Sequence, residues 1–209
     1  RLRKRTATFF TTALLVLGTL AAAAPSSAAA NCLGQPLTLP AGTLTGTAGN
    51  DVMLGTTADE TMKGLGGNDI ICGGGGADVI YGGAGRDNLV GGSGADRLYG
   101  QGGCDYLRGG MDDDLLVPGA GEALCVNTAD GEGGRDRIVL DRTGRHDVYG
   151  GPGRDTLDFR KAPVGVTVDL RAHWYEFTSP SSAHSYVQEI EVVFGSQFDD
   201  LLYGGAGDD

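Results

Sequence analysis

The chain has 209 residues, 38 of them Gly, with 27 Asp or Glu against 16 Lys or Arg and a net charge of −11. So much glycine without a collagen period means either disorder or a repeat, and only a period separates the two. The acidic balance argues against nucleic acid and against strong binding to anionic membranes, and it suits cations.

The first thirty residues stand apart. RLRKR is a positive start, Thr6 to Leu20 is mostly apolar, and Ala21 to Ala30 ends in small residues, the layout of a secretory signal peptide cleaved after about Ala30. The apolar run is short for a membrane anchor, and Asn31 before Cys32 fits a lipid-modified cysteine poorly. A secreted, extracellular chain is expected. Residues 1 to 30 carry four of the 16 basic residues and no acid, so the mature chain holds 12 − 27 = −15. Its cysteines, Cys32, Cys72, Cys104 and Cys125, are even in number. In an oxidising compartment that favours disulfides, in any of three pairings, and the spacings match no zinc pattern.

After a lead-in at residues 31 to 45, the chain divides every nine residues from Gly46. The blocks are GTAGNDVML, GTTADETMK, GLGGNDIIC, GGGGADVIY, GGAGRDNLV, GGSGADRLY, GQGGCDYLR and GGMDDDLLV, without a gap to Val117. Place one is always Gly. Place six is Asp51, Glu60, Asp69, Asp78, Asp87, Asp96, Asp105 and Asp114; place eight is Met53, Met62, Ile71, Ile80, Leu89, Leu98, Leu107 and Leu116. Places seven to nine are rich in aliphatic, aromatic or β-branched residues and the rest are turn formers, so each block reads as a three-residue strand after a glycine turn. Side chains alternate along a strand, which points place eight inward and leaves the more polar places seven and nine outside.

These blocks resemble the calcium-binding nonapeptide repeat GGxGxDxUx of the RTX family, of hemolysin and serralysin C-terminal type, where U is a large aliphatic residue. The resemblance implies an all-β fold, a parallel β-roll that is a right-handed β-solenoid with two strands per coil. Blocks eighteen residues apart then stack, placing Asp51, Asp69, Asp87 and Asp105 in one column and Glu60, Asp78, Asp96 and Asp114 in the other. Stacked strands lie about 4.8 Å apart, and unit charges at roughly 5 Å repel by about 3 kcal/mol at an effective dielectric near 20. A hard cation relieves this, because calcium takes six to eight oxygens and mixes carboxylates with carbonyls. Glycine allows the turn to bring carbonyls inward at positive φ. By the resemblance, each Ca2+ is held by place-six carboxylates and by turn backbone such as that of Gly64, Gly66, Gly73, Gly75, Gly82 and Gly91. Three gaps per column give about six ions in the main block, whose +12 would leave the mature chain near −3. Glu60, one methylene longer and preceded by Ala58 in place of Gly, and the eighth block with Met111 and Asp112 make the outermost sites the weakest.

The main roll extends over residues 46 to 126 if PGAGEALCV (residues 118 to 126) keeps the phase, with Ala123 at place six, Cys125 inward and an insertion NTAD after it. A second, degenerate block over residues 127 to 158 has Asp136, His146 and Asp155 at place six. Asp136 and Asp155 are further candidate ligands. Imidazole suits softer metals, so His146 is expected to be unliganded or surface-exposed. A connecting segment over residues 159 to 194 loses the glycine period; VGVTVDL alternates as a half-buried strand, and Trp174 is read in the loop after it. RDTLDFRKAPVGVTVDL with IEVVFGSQFDDLLYGGAGDD is similar to the segment joining repeat blocks in serralysin-like proteases. Final repeats at residues 195 to 209 carry Asp200 and Asp209 at place six and Leu202 at place eight, and stop midway through a nonapeptide, as a truncated or uncapped solenoid would.

There is no HExxH and no GxSxG, the histidines are dispersed, and only residues 31 to 45 precede the repeats in the mature chain. A non-enzymatic, secreted calcium-binding roll that folds with extracellular Ca2+ is the leading expectation. The alternatives are a C-terminal calcium-binding fragment of a larger exported protease, lipase or toxin, or an adhesin spacer. An N-terminal signal departs from the C-terminal export signal of the family, and the sequence names no protein partner.

Overall fold

The computed structural model of the chain describes residues 42–121, 125–141, 144–178 and 184–204. The signal segment 1–30, Cys32, most of the lead-in, Ala123 and Asp209 lie outside the described residues. All regular structure among the described residues is β-strand, and no helix there is long and apolar enough to cross a membrane.

Successive nonapeptides send their strands alternately to two sheets. The first sheet stacks β1 (Thr43–Thr45), β3 (Thr61–Gly66), β5 (Val79–Gly85), β7 (Arg97–Gly103), β9 (Leu115–Val117), β12 (Arg137–Val139), β14 (Thr156–Asp158) and β18 (Val192–Phe194), with β10 (Ala120–Gly121) beside β7. The second begins with β2 (Val52–Leu54), β4 (Ile70–Gly75), β6 (Asn88–Ser93), β8 (Tyr106–Met111), β11 (Val126–Gly133) and β13 (Arg145–Tyr149). It continues through β17 (Ser185–Gln188), β16 (Trp174–Phe177), β15 (Val166–Asp169) and β19 (Leu201–Tyr203). The pairing is parallel at a register of eighteen, so Met62, Ile80, Leu98 and Leu116 align in one sheet and Ile71, Leu89 and Leu107 in the other. This is the expected β-roll with two strands per coil. Strands β3 to β8 are longer than three residues, because places one to three of the next block also join the parallel ladder, as in Leu65↔Gly83 and Gly66↔Ala84.

The core is the place-eight ladder. Met62, Ile71, Ile80, Leu89, Leu98, Leu107, Leu116, Ala129, Ile138, Val148 and Leu157 have no exposed surface. Burying an aliphatic side chain contributes roughly 1.5–3 kcal/mol, and each coil adds two. One outer patch departs from the polar-outside pattern: Cys72 and Val90 at place nine pack with Leu54 and Ile70 in a second apolar cluster.

The phase after Val117 needs correction. Ala120 and Gly121 still pair at a register of eighteen with Gly102 and Gly103, whereas Thr128 pairs with Tyr106 at twenty-two. The four extra residues therefore lie between Gly121 and Thr128, ahead of the strand register, and not after residue 126 as an NTAD insertion. Asn127 takes place six and Ala129 the inward place. Cys125 does not point inward; it is disulfide-bonded to Cys104 on the turn one coil earlier, and Cys72 is also in a disulfide.

Beyond β14 the connecting segment forms a meander, with β15 antiparallel to β16 and β16 antiparallel to β17. It joins the roll where Val187 pairs in parallel with Val148. Trp174 lies in strand β16, not in a loop, and stacks on His184. Here Phe159, Tyr175 and Phe177, packed edge to face, fill the interior that single aliphatic residues fill elsewhere. At the end of the stack Leu202 is 46% exposed although it sits at an inward place.

Candidate metal centre

The two acidic columns are joined by hydrogen bonds. On one edge the main-chain N–H of Asp51 donates to Oδ1 of Asp69 at 2.8 Å, Asp69 to Asp87 at 2.9 Å, and Asp87 to Asp105 at 3.0 Å. On the other, Glu60 donates to Asp78, Asp78 to Asp96 and Asp96 to Asp114, each at 2.7 Å, and Asp114 to Asp136 and Asp136 to Asp155 at 2.8 Å. Asp155 then donates to Oε2 of Glu191 at 2.7 Å. Glu191 carries no glycine turn before it, so nothing in the nonapeptide pattern marks it as a column member.

Each column carboxylate thus uses one oxygen as a rung. The other, Oδ2 of Asp69, Asp78, Asp87, Asp96, Asp105, Asp114, Asp136 and Asp155, is buried without a hydrogen-bond partner. Leaving a buried acceptor unpaired costs about 1–3 kcal/mol, more for a charged group, and natural folds contain few such groups. Eight in two straight rows are a built feature.

Main-chain oxygens face these orphans. A Cβ placed on Gly82 would meet Asp87 Oδ2 at 2.5 Å and Gly100 O at 3.0 Å; on Gly91 it would strike Asp96 Oδ2 and Gly109 O. The place-one glycines, including Gly64 and Gly73, therefore leave open the point where a carboxylate and the carbonyl one coil on converge. Gly66 and Gly75, at place three, do not border it: the nearest atoms are Ala84 O at 3.8 Å and Ser93 Oγ at 3.0 Å. Positive φ belongs to places two and four, as in Gly74 (+104°) and Gly76 (+98°), and even Leu65, Gln101, Asp112 and Glu132 take it there.

Three predicted acids differ from the eight. Asp51 Oδ2 accepts from N–H and Oγ1–H of Thr47 at 2.6 and 3.0 Å. Glu60 accepts likewise from Thr56 at 3.1 and 2.5 Å, its longer side chain reaching the hydroxyl. Asp200 accepts twice from Ser196 at 2.7 Å and once from Val166 N–H at 2.9 Å, so it lies against the meander and outside both acidic columns. In all three, Thr or Ser holds place two without the positive φ seen there in the other blocks.

Electrostatics sharpen the contrast. Burial, with the neighbouring acids, raises the carboxyls of Asp78, Asp96, Asp105 and Asp136 to about 7 and Asp114 to about 8, and lifts Asp69, Asp87 and Asp155. Asp158 is equally buried, but hydrogen bonds from Arg160 and Arg137 overcome the burial and hold it at about 2. Among the described residues no Lys or Arg pairs with a column acid.

His146 is not at the surface. It is fully buried, stacked in register after Asn127, with Nε2 3.1 Å from Gly119 O. Among the described residues no three His, Cys, Asp or Glu side chains converge on one point. Single carboxylates facing main-chain carbonyls are a poor donor set for zinc and a good one for a hard, oxygen-seeking cation.

The RTX calcium-binding nonapeptide repeat matches in four copies, over residues 42–71, 54–89, 81–116 and 188–209. The chain carries RTX calcium-binding repeats. They form a calcium-binding β-roll, and the RTX match covers the coils in which the orphaned oxygens begin. No curated protein matches the chain. The RTX match omits the turns of Asp136 and Asp155, although their geometry repeats that of the matched coils.

Proposed function

We propose that this RTX roll is a secreted, non-enzymatic calcium-binding protein whose folding is completed by extracellular Ca2+. The observation that carries the reading is the set of eight buried, unpartnered carboxylate oxygens, each beside a carbonyl of the next coil. Asp69, Asp87 and Asp105 on one edge and Asp78, Asp96, Asp114, Asp136 and Asp155 on the other are the ligands. Six of them lie in the main block and two in the degenerate block. Asp51, Glu60 and Asp200 hold end turns through their hydroxyl partners.

Calcium supplies positive charge and a flexible oxygen coordination sphere. The chain supplies one carboxylate oxygen fixed by its rung and carbonyls from adjacent coils, so each ion ties two coils together. Binding free energy is then folding free energy. Extracellular calcium modules commonly bind at about 0.1–1 mM, which separates a loose chain inside the cell from a folded one outside it. The N-terminal segment supports export, and the absence of HExxH and GxSxG from the sequence supports a role without catalysis. Circular dichroism of the chain from Asn31, titrated with calcium and then magnesium, tests the reading. A rise in β content with calcium at millimolar concentration is expected, and equal β content in chelator and in calcium would sink it.

A further inference from the structure

The two edges of the roll diverge after Asp105. One keeps acids to its end, through Asp114, Asp136, Asp155 and Glu191. The other continues as Asn127, His146 and Ser185. Asn127 preserves the rung, since its Oδ1 accepts the Asp105 N–H at 2.9 Å. Where an aspartate would place its second oxygen, Asn127 has an amide, and Nδ2–H donates to Pro118 O at 3.3 Å. Pro118 O is the carbonyl that faces Gly100 beside Asp105 Oδ2, the counterpart of Gly100 O at the coil before. One coil on, a carbonyl can only accept, so the 3.1 Å contact fixes His146 as the Nε2–H tautomer donating to Gly119 O. The His146 N–H donates to Ser185 Oγ at 3.2 Å, and its carbonyl accepts from Tyr175 Oη–H at 3.1 Å.

We infer that this edge is closed to cations beyond Asp105: where the acidic coils carry an unpartnered carboxylate oxygen, Asn127 carries an amide that donates to Pro118 O and His146 a ring whose Nε2–H donates to Gly119 O. The roll is loaded along one edge for its whole length and along the other only in its first half. The carboxylates of Asp141 and Asp147 lie within electrostatic reach of His146, but Phe177, edge-on to the ring at 6.3 Å, offers an ion no oxygen. The inference rests on the calcium reading above, and the test separates the two.

Native mass spectrometry of the calcium-loaded full chain and two variants counts the ions. Asn127→Asp, which replaces the amide donor by an oxygen, is expected to hold one ion more than the parent; Asp136→Asn, on the open edge, one fewer. A parent that binds no calcium overturns the calcium reading itself. A loss with Asp136→Asn and no gain with a folded Asn127→Asp overturns the closed edge alone. Should Asn127→Asp fail to fold, an anomalous-scattering map of the parent chain crystallised with calcium decides the question. Peaks beside Asp136 and Asp155 with none beside Asn127 or His146 support the inference, and a peak within coordination distance of either side chain overturns it.

Discussion

At the residue scale, the difference between one glycine and its neighbour decides whether a cation site exists. A methyl on Gly82 enters the point shared by Asp87 Oδ2 and Gly100 O, whereas at Gly66 the nearest atom is 3.8 Å away. Gly82→Ala is therefore expected to lose an ion and about 2–3 kcal/mol of calcium-loaded stability, and Gly66→Ala less than about 1 kcal/mol. Equal losses in calorimetry would remove place one from the site. The carboxylates divide in the same way: Asp87→Asn should lower the ion count, while Asp51→Asn, whose Oδ2 is already satisfied by Thr47, should leave it unchanged in native mass spectrometry. The acid ladder itself was legible from spacing, because the parallel register of eighteen is twice the place-six period of nine. Asn127 was not legible, since the inserted residues hide its phase, and neither was the effect of Thr47 and Thr56, which depends on a hydroxyl turning back onto its own carboxylate.

At the scale of elements, the Cys104–Cys125 disulfide ties the start of β11 to the coil before it, with a sequence separation of 21. Closing a loop of that size stabilises by about 3 kcal/mol in the chain-entropy estimate. Replacing both cysteines by serine is expected to lower stability by up to about that amount while the ion count stays the same, because the rungs on either side of Asp105 are made without them. A lost ion would show that the bridge shapes the Asp105 site. The meander of β15, β16 and β17 brings a different kind of cohesion, aromatic packing and uncharged rungs. Amides of β13 and β17 should accordingly exchange more slowly in chelator than those of β4 and β6, a difference that hydrogen exchange measures and that uniform exchange would contradict. The half-buried strand at residues 164 to 170 was readable by alternation; the antiparallel turn-back was not, because period two carries no information about strand direction.

For the whole molecule, the raised column carboxyls set an opposition between protons and calcium. A carboxyl whose folded value lies near 7, as for Asp78 and Asp96, binds its proton more tightly folded than unfolded. The folded state then holds more protons between about pH 4 and 8, so stability falls as pH rises through that window. In chelator the midpoint of thermal unfolding is expected to be higher at pH 4.5 than at pH 8, and millimolar calcium should reverse the order. A chelated chain that gains stability towards pH 8 would show that its acids are not buried together.

The rungs also have a direction. Each N–H on the acidic edges is completed by a carboxylate that lies later in the chain, eighteen residues on from Asp51 or Asp78, and thirty-six on from Asp155. A coil without a successor therefore ends in an unmet amide, so a cut anywhere in the roll exposes one at the new end. Between His146 and Ser185 the reach is thirty-nine residues, and that edge closes only when the meander is in place.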